Sequence, residues 1–327
     1  MAASARAGMG MMELPANDVS GVVTVFYPTG SLPAAVRRSE FSLDVALNAP
    51  PTAARSRLVV ISHGSPGSPW VHFELAHSLV DAGFTVAFPE HHADNASDPS
   101  EPGPPAWRRR PVEVSRAIDR LSREAAFTSR IDFARVGMFG MSAGGHTALT
   151  LAGGRWSPSR LRDHCRANLE ADFHACAGPS VALTGGVLDA AKKAVVRAIN
   201  DRKFDDPASY GHVDARIVAI AAGVPFAADF DPASLREPRV ALAIIPASQD
   251  RWLVPRFHSD AIMAACRSCE RIAEAESGGH GALLAPLPPG GERLKLIADP
   301  PGFDRAVQVP RINAGIVRFF LKALAAM

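Results

Sequence analysis

Beyond residue 57 the hydrophobic pattern falls into two kinds of segment that alternate along the chain. One kind is short and wholly apolar: Leu58 to Ile61, Phe84 to Phe88, Val136 to Phe139, Ile217 to Ala222 and Val240 to Ile245. Strands without a polar face belong to a sheet covered on both sides, so these runs predict a mostly parallel central sheet. The other kind repeats its apolar residues at helical spacing, as in Phe73, Ala76, Leu79 and Val80 and again in Val114, Ile118 and Leu121. Strand and helix in alternation imply right-handed crossovers and an α/β fold with helices on both faces. Ahead of this region, Val22 to Tyr27 and the alternating Phe41 to Leu47 predict two early antiparallel strands, set apart by the Pro- and Ala-rich stretch 49–56.

The rhythm breaks over 155–213, where polar segments flank an expected helix from Val187 to Ile199. Two readings stand for this insertion: a helical lid over a binding site, or a structural subdomain remote from substrate. A last amphipathic helix is expected around Ile312, Ile316, Phe319 and Phe320. The organisation expected is an N-terminal extension over 1–20 and a single α/β domain over 21–327 carrying the insertion at 155–213.

With 327 residues, 47% hydrophobic and 21% charged, the chain has ample material for a core. Its net charge of +2 leaves no broad basic surface for nucleic acid. Arg108-Arg109-Arg110 is a local run that reads as a solvated loop or as a site of attraction for an anionic group. Residues 1–10 lack an apolar signal-peptide core, and no run of 18 apolar residues occurs. The sequence as it stands reads as cytoplasmic, with periplasm or secretion open if its start is shortened. Cys266 and Cys269 form a C-x-x-C read as incidental thiols ahead of a redox pair or a metal site, and Cys165 and Cys176 are candidates to bridge in an exported protein.

Chemistry concentrates at Gly140-Met141-Ser142-Ala143-Gly144, directly after an apolar run and before the small, then apolar, Gly145 to Leu151. A G-x-S-x-G turn between strand and helix exposes a strained serine at the sheet edge, the nucleophile elbow of α/β-hydrolases. In that fold the nucleophile is followed in the chain by the acid and then by the base. Asp250, just past the apolar run Val240 to Ile245, is the acid expected, with Asp229 and Asp231 as competitors, and His280 in Ser277-Gly278-Gly279-His280-Gly281 is the base. His63-Gly64-Ser65 ends the first apolar run, where this fold keeps an oxyanion donor. The backbone N–H groups of Ser65 and Ala143 are therefore the expected oxyanion hole, the alternative being an ordinary turn, and His63 reads as structural. Trp70, Met141, Trp107 and Trp252 are candidates for a substrate pocket, with simple packing as the alternative for each tryptophan. His91-His92-Ala93-Asp94 superficially suggests a metal site. Adjacent histidines at a strand end point to opposite sides, so a structural or pocket-lining loop is preferred, and neither metal nor cofactor is expected.

With these residues in place the chain resembles the bacterial predicted dienelactone hydrolase family, a branch of the α/β-hydrolases similar to platelet-activating-factor acetylhydrolase. The resemblance rests on Phe26-Tyr27-Pro28-Thr29, Ser62-His63-Gly64, Pro89-Glu90-His91 with Asp94-Asn95, Arg110-Pro111 with Val114-Ser115, the elbow through Gly145, Asp299-Pro300-Pro301-Gly302-Phe303-Asp304-Arg305 and Arg311-Ile312-Asn313. It implies ester hydrolysis by Ser142, Asp250 and His280 on a small-molecule substrate. True dienelactone hydrolases carry a cysteine nucleophile where Ser142 stands, and Met141 occupies a position where relatives often have histidine. An amidase or lactonase on the same three residues, and a catalytically silent binding protein of the same fold, are the alternatives.

Overall fold

The computed structural model describes residues 8–18 and 20–325; the sequence reading of residues 1–7 lies outside them. The expected apolar runs become β5 (Arg57–Ser62), β6 (Phe84–Pro89), β7 (Val136–Met141), β8 (Ile217–Gly223) and β9 (Ala241–Ile245). Before them come β1 (Gly8–Leu14), β2 (Val23–Thr29), β3 (Ala34–Arg38) and β4 (Phe41–Leu47), and after them β10 (Glu270–Arg271). They form one sheet in the order β10-β9-β8-β7-β5-β6-β2-β1-β4-β3. From β6 to β10 all neighbours are parallel.

In the N-terminal part the two expected early strands, β2 and β4, run antiparallel to each other without pairing. β2 and β4 are not neighbours: β1, from within the expected 1–20 extension, lies between them, antiparallel to β2 and parallel to β4. β1 fills a buried slot with Met9 and Met11, residues of no strand preference that adapt to an irregular gap. At the other end, the short β10 pairs regularly only through Glu270–Arg271, and Ala275 makes an isolated bridge to Ala247.

Among the described residues eight helices surround the sheet: α1 (Phe73–Asp81), α2 (Pro104–Arg123), α3 (Ala143–Leu151), α4 (Pro158–Asn168), α5 (Phe173–Ala177), α6 (Asp189–Lys203), α7 (Ser259–Ala265) and α8 (Arg305–Ala323). Alternate residues of each central strand feed opposite cores. Leu58 and Val60 of β5 pack with α2 and α3 through Ile118, Leu121 and Leu149, whereas Val59 and Ile61 pack with α1 and α8 through Leu75, Leu79 and Phe320. This two-sided demand is why the strands carry no polar face.

The connection from β5 runs to β6 and that from β7 to β8, so the chain departs in opposite directions from two adjacent strands paired through Ser62 and Gly140. A crevice opens at the carboxyl ends of strands flanking such a switch point, and ligands bind there. Segments 63–65 and 142–144 both start at this crevice.

Candidate active site

Ser142 sits between β7 and α3 with φ 59° and ψ −117°, a backbone conformation that costs on the order of 1–3 kcal/mol for a residue with a Cβ. The surroundings hold it there. Its N–H donates to the Gly223 carbonyl, and its carbonyl accepts from the N–H groups of His146 and Phe226. The flanking glycines are required by close approach: a Cβ at Gly140 would lie 1.9 Å from the Gly144 carbonyl oxygen, and one at Gly144 would lie 1.9 Å from that of Ser62.

His280 begins a short 3-10 turn, and its Nε2 lies 2.9 Å from Ser142 Oγ. Its Nδ1 lies 2.8 Å from Asp250 Oδ2. Asp250 Oδ1 is occupied by the N–H groups of Trp252 and Leu253, so the carboxylate acts as acceptor throughout. The proton of neutral His280 is thereby fixed on Nδ1, which leaves Nε2 to accept from the Ser142 hydroxyl. The loops carrying Asp250 and His280 are stitched together: Gln249 N–H donates to the Gly278 carbonyl, Ser248 N–H to that of Ala275, and Ser277 N–H to Ser248 Oγ. Arg305, in the Asp299 to Arg305 stretch, pairs with Asp299 and donates to the Gly281 carbonyl at 3.1 Å and to that of Leu284. It braces the His280 turn from behind, a role its sequence context does not reveal.

Across the crevice, Gly64 abuts the serine: a Cβ there would lie 3.5 Å from Ser142 Cβ. Ala143 opens α3, so its N–H has no acceptor within the helix. Arg110 lies behind this loop. The reading of Arg108-Arg109-Arg110 as a solvated loop fails here, because the run is helical in α2 and Arg110 is fully buried. Its guanidinium contacts Asp94 at 2.8 Å and donates to the carbonyls of His63, Gly64 and Asp94. A charge in a sequence run carries no sign of burial until its partners, distant in the chain, are placed around it.

His63 is buried, and loss of hydration, reinforced by His91 and Arg110, holds its pKa well below the ordinary range. It lies outside the Ser142 to Asp250 chain. His91 spans Ser62 Oγ and Glu113, each at 2.7 Å, which gives the His91 to Asp94 stretch an internal framework. Asp229 pairs instead with His146 at 3.0 Å, and Asp231 accepts from Ala233 N–H at the start of a 3-10 turn.

The four candidate pocket residues are dispersed. Trp70 lines a cleft of about 270 Å³ with His63 and Gly67. Met141 is buried in the core shared with α1 and α8, and Trp107 in the opposite core, stacked on His146 and Phe226. Trp252 stacks on His174 with ring centres 4.0 Å apart and donates to the Lys295 carbonyl.

The 155–213 insertion folds into α4, α5 and α6, stapled by a Cys165–Cys176 disulfide. Asp172 ties it to the segment after Asp250: its carboxylate meets His164 Nε2 at 2.8 Å and His258 Nε2 at 3.0 Å and accepts from Val254 N–H. Burial raises the pKa of Asp172, but the hydrogen bonds from the two histidines outweigh it and bring it down to about 2. Glu170, Phe173, His174 and Leu183 of the insertion face Gln249, Asp250 and Arg251 across a cleft of about 420 Å³. Cys266 and Cys269, expected as incidental thiols, are also joined by a disulfide; α7 stops at Ala265, and the turn that follows brings them together.

No helix among the described residues is long and apolar enough to cross a membrane. No family model matches the chain. No curated protein matches it. Among solved structures it is similar to a ferulic acid esterase from Streptomyces cinnamoneus, with a TM-score of 0.64 and 16% identity over 99% of this chain and 92% of that one. The mostly parallel sheet with helices on both faces is the α/β-hydrolase fold.

Proposed function

We propose that the protein is a serine hydrolase that cleaves carboxylic esters through an acyl-enzyme intermediate. The observation that carries this reading is the unbroken chain from Ser142 Oγ through His280 to Asp250, with contacts of 2.9 and 2.8 Å. His280 takes the Ser142 proton as Oγ attacks the ester carbonyl, and Asp250 holds the ring and stabilises the imidazolium that forms. The carbonyl oxygen becomes an oxyanion facing the N–H groups of Ser65 and Ala143. His280 then protonates the departing alcohol. Water, deprotonated by the same ring, attacks the acyl-enzyme, and as the acyl–Oγ bond breaks His280 returns the proton to Ser142 Oγ and the acid is released.

The resemblance to the dienelactone hydrolase and acetylhydrolase branch agrees with this chemistry, as does the structural similarity to a ferulic acid esterase. The insertion serves as a lid bordering the acid loop, and its cleft over Gln249 and Arg251 contributes to substrate choice. The test is hydrolysis of short p-nitrophenyl esters together with labelling by a fluorophosphonate. Ser142→Ala is expected to lower kcat by at least about 10³-fold and to abolish labelling; full activity in that variant would remove the assignment.

A further inference from the structure

Gly64 creates a difficulty that the neighbouring side chains resolve. Lacking a Cβ, it lets the backbone approach Ser142, but it also leaves the Gly64–Ser65 peptide free to rotate between two orientations. Only one of them serves an oxyanion. In a trans peptide the C=O and the N–H point in opposite directions, so whatever holds the Gly64 carbonyl also aims the Ser65 N–H.

Three groups converge on this peptide. Arg110 Nη2 donates to the Gly64 carbonyl at 3.1 Å, and His63 Nδ1 lies 2.8 Å from the same oxygen. Because that oxygen only accepts, the His63 proton resides on Nδ1. Ser65 Oγ donates to Asp94, whose other carboxylate oxygen is held by Arg110 Nε at 2.8 Å. Arg110 Nη1 fixes the preceding peptide through the His63 carbonyl at 2.6 Å. Gly67 closes the back: a Cβ there would lie 2.8 Å from the Gly64 oxygen, so a larger residue would displace the carbonyl from its donors.

We infer that Arg110 is a positioning residue, which through Asp94 and the Gly64 carbonyl locks the Gly64–Ser65 peptide with its N–H toward the oxyanion formed at Ser142. The inference rests on the serine-hydrolase reading above. A planar fork is needed because one side chain must serve a carboxylate and successive carbonyls at once. The single ammonium of lysine keeps the charge and loses the fork.

The experiment uses the full chain. Arg110→Lys is expected to lower kcat on p-nitrophenyl butyrate by about 30- to 100-fold with KM within about threefold, short of the 10²–10³ of losing an oxyanion donor outright. Affinity for phenylboronic acid should fall by the same factor as kcat/KM, the pH profile should keep its midpoints, and a fluorophosphonate should still titrate every Ser142. A kcat within about threefold of wild type, or a loss matched by the loss of titratable serine, would overturn the lock. Should Arg110→Lys not fold, Ser65→Ala decides, since it removes only the anchor on Asp94: a fall in kcat of about three- to tenfold at constant KM supports the lock, and wild-type kcat overturns it. Ser142→Ala separates the two levels. If it retains wild-type turnover the serine reading itself has failed, whereas an inactive Ser142→Ala beside a fully active Arg110→Lys removes the lock alone.

Discussion

His280–Asp250 and His146–Asp229 are two buried histidine–carboxylate pairs, bonded at 2.8 and 3.0 Å, and both approach Ser142. The His280 ring reaches its hydroxyl, while only the backbone N–H of His146 donates to its carbonyl. They differ in which ring nitrogen meets the carboxylate and what faces the other. Asp250 takes Nδ1 of His280, and Nε2 is left against Ser142 Oγ. Asp229 takes Nε2 of His146, whose ring is enclosed by Trp107, Trp156 and Phe230 with centres 5.0, 4.9 and 4.7 Å away. Its Nδ1 has no hydrogen-bond partner among the described residues. Burial and a carboxylate partner are therefore common to the pair that faces a hydroxyl, proposed above as the proton shuttle, and to the pair enclosed in the core. The free nitrogen and its target tell them apart.

Substitution should separate the two pairs sharply. Asp250→Asn, which keeps the shape and removes the preference for the Nδ1 proton, is expected to lower kcat by about 10³- to 10⁴-fold with little change in melting temperature. Asp229→Asn should act in the opposite sense. It leaves kcat within about tenfold and lowers unfolding free energy by on the order of 2 kcal/mol, because buried polar groups lose a matched partner. Denaturant unfolding and steady-state kinetics on the same preparations check both. A folded Asp229→Asn as inactive as Asp250→Asn would erase the distinction.

A third carboxylate with histidine partners, Asp172, extends the comparison to acid stability. Its folded pKa of about 2 lies below the ordinary 3.8, so on acidification the unfolded chain takes up the proton first. Its contribution is complete above about pH 4 and is lost as pH falls through about 2, on the order of 2 kcal/mol in all. Asp172→Asn should lower stability by about that amount at neutral pH and flatten the stability profile between pH 4 and 2. A variant with an unchanged profile would mean that the tie between the insertion and the segment after Asp250 contributes nothing to folding.

The central strands were legible because burial on both faces leaves its mark on every residue of Val59, Val60 and Ile61 or of Ala243, Ile244 and Ile245. β1 and β3 were not. Gly8–Leu14 has neither β-branched residues nor alternation, and Ala34–Arg38 is largely exposed, so their strand character comes from the neighbours they pair with. Ser142, Asp250 and His280 stood out in the sequence because elbow chemistry and chain order are both written in one dimension, and the fold brings the three within hydrogen-bonding reach. The supports could not. Arg110 is buried only because loops at 63–64 and 94 bring their oxygens around it, and Arg305 is positioned only once the His280 turn lies against it.

By itself, then, the sequence determined which segments must be covered by helices, where a strained serine would be tolerated, and in what order its partners follow. It did so because apolar periodicity and glycine placement act locally. Which aspartate meets which histidine, which cysteines join, and whether an arginine faces water or a pair of backbone carbonyls were decided only by tertiary structure. Those outcomes depend on distances between groups far apart in the chain, and a buried charge or imidazole takes its role from whichever partner the fold brings within hydrogen-bonding reach.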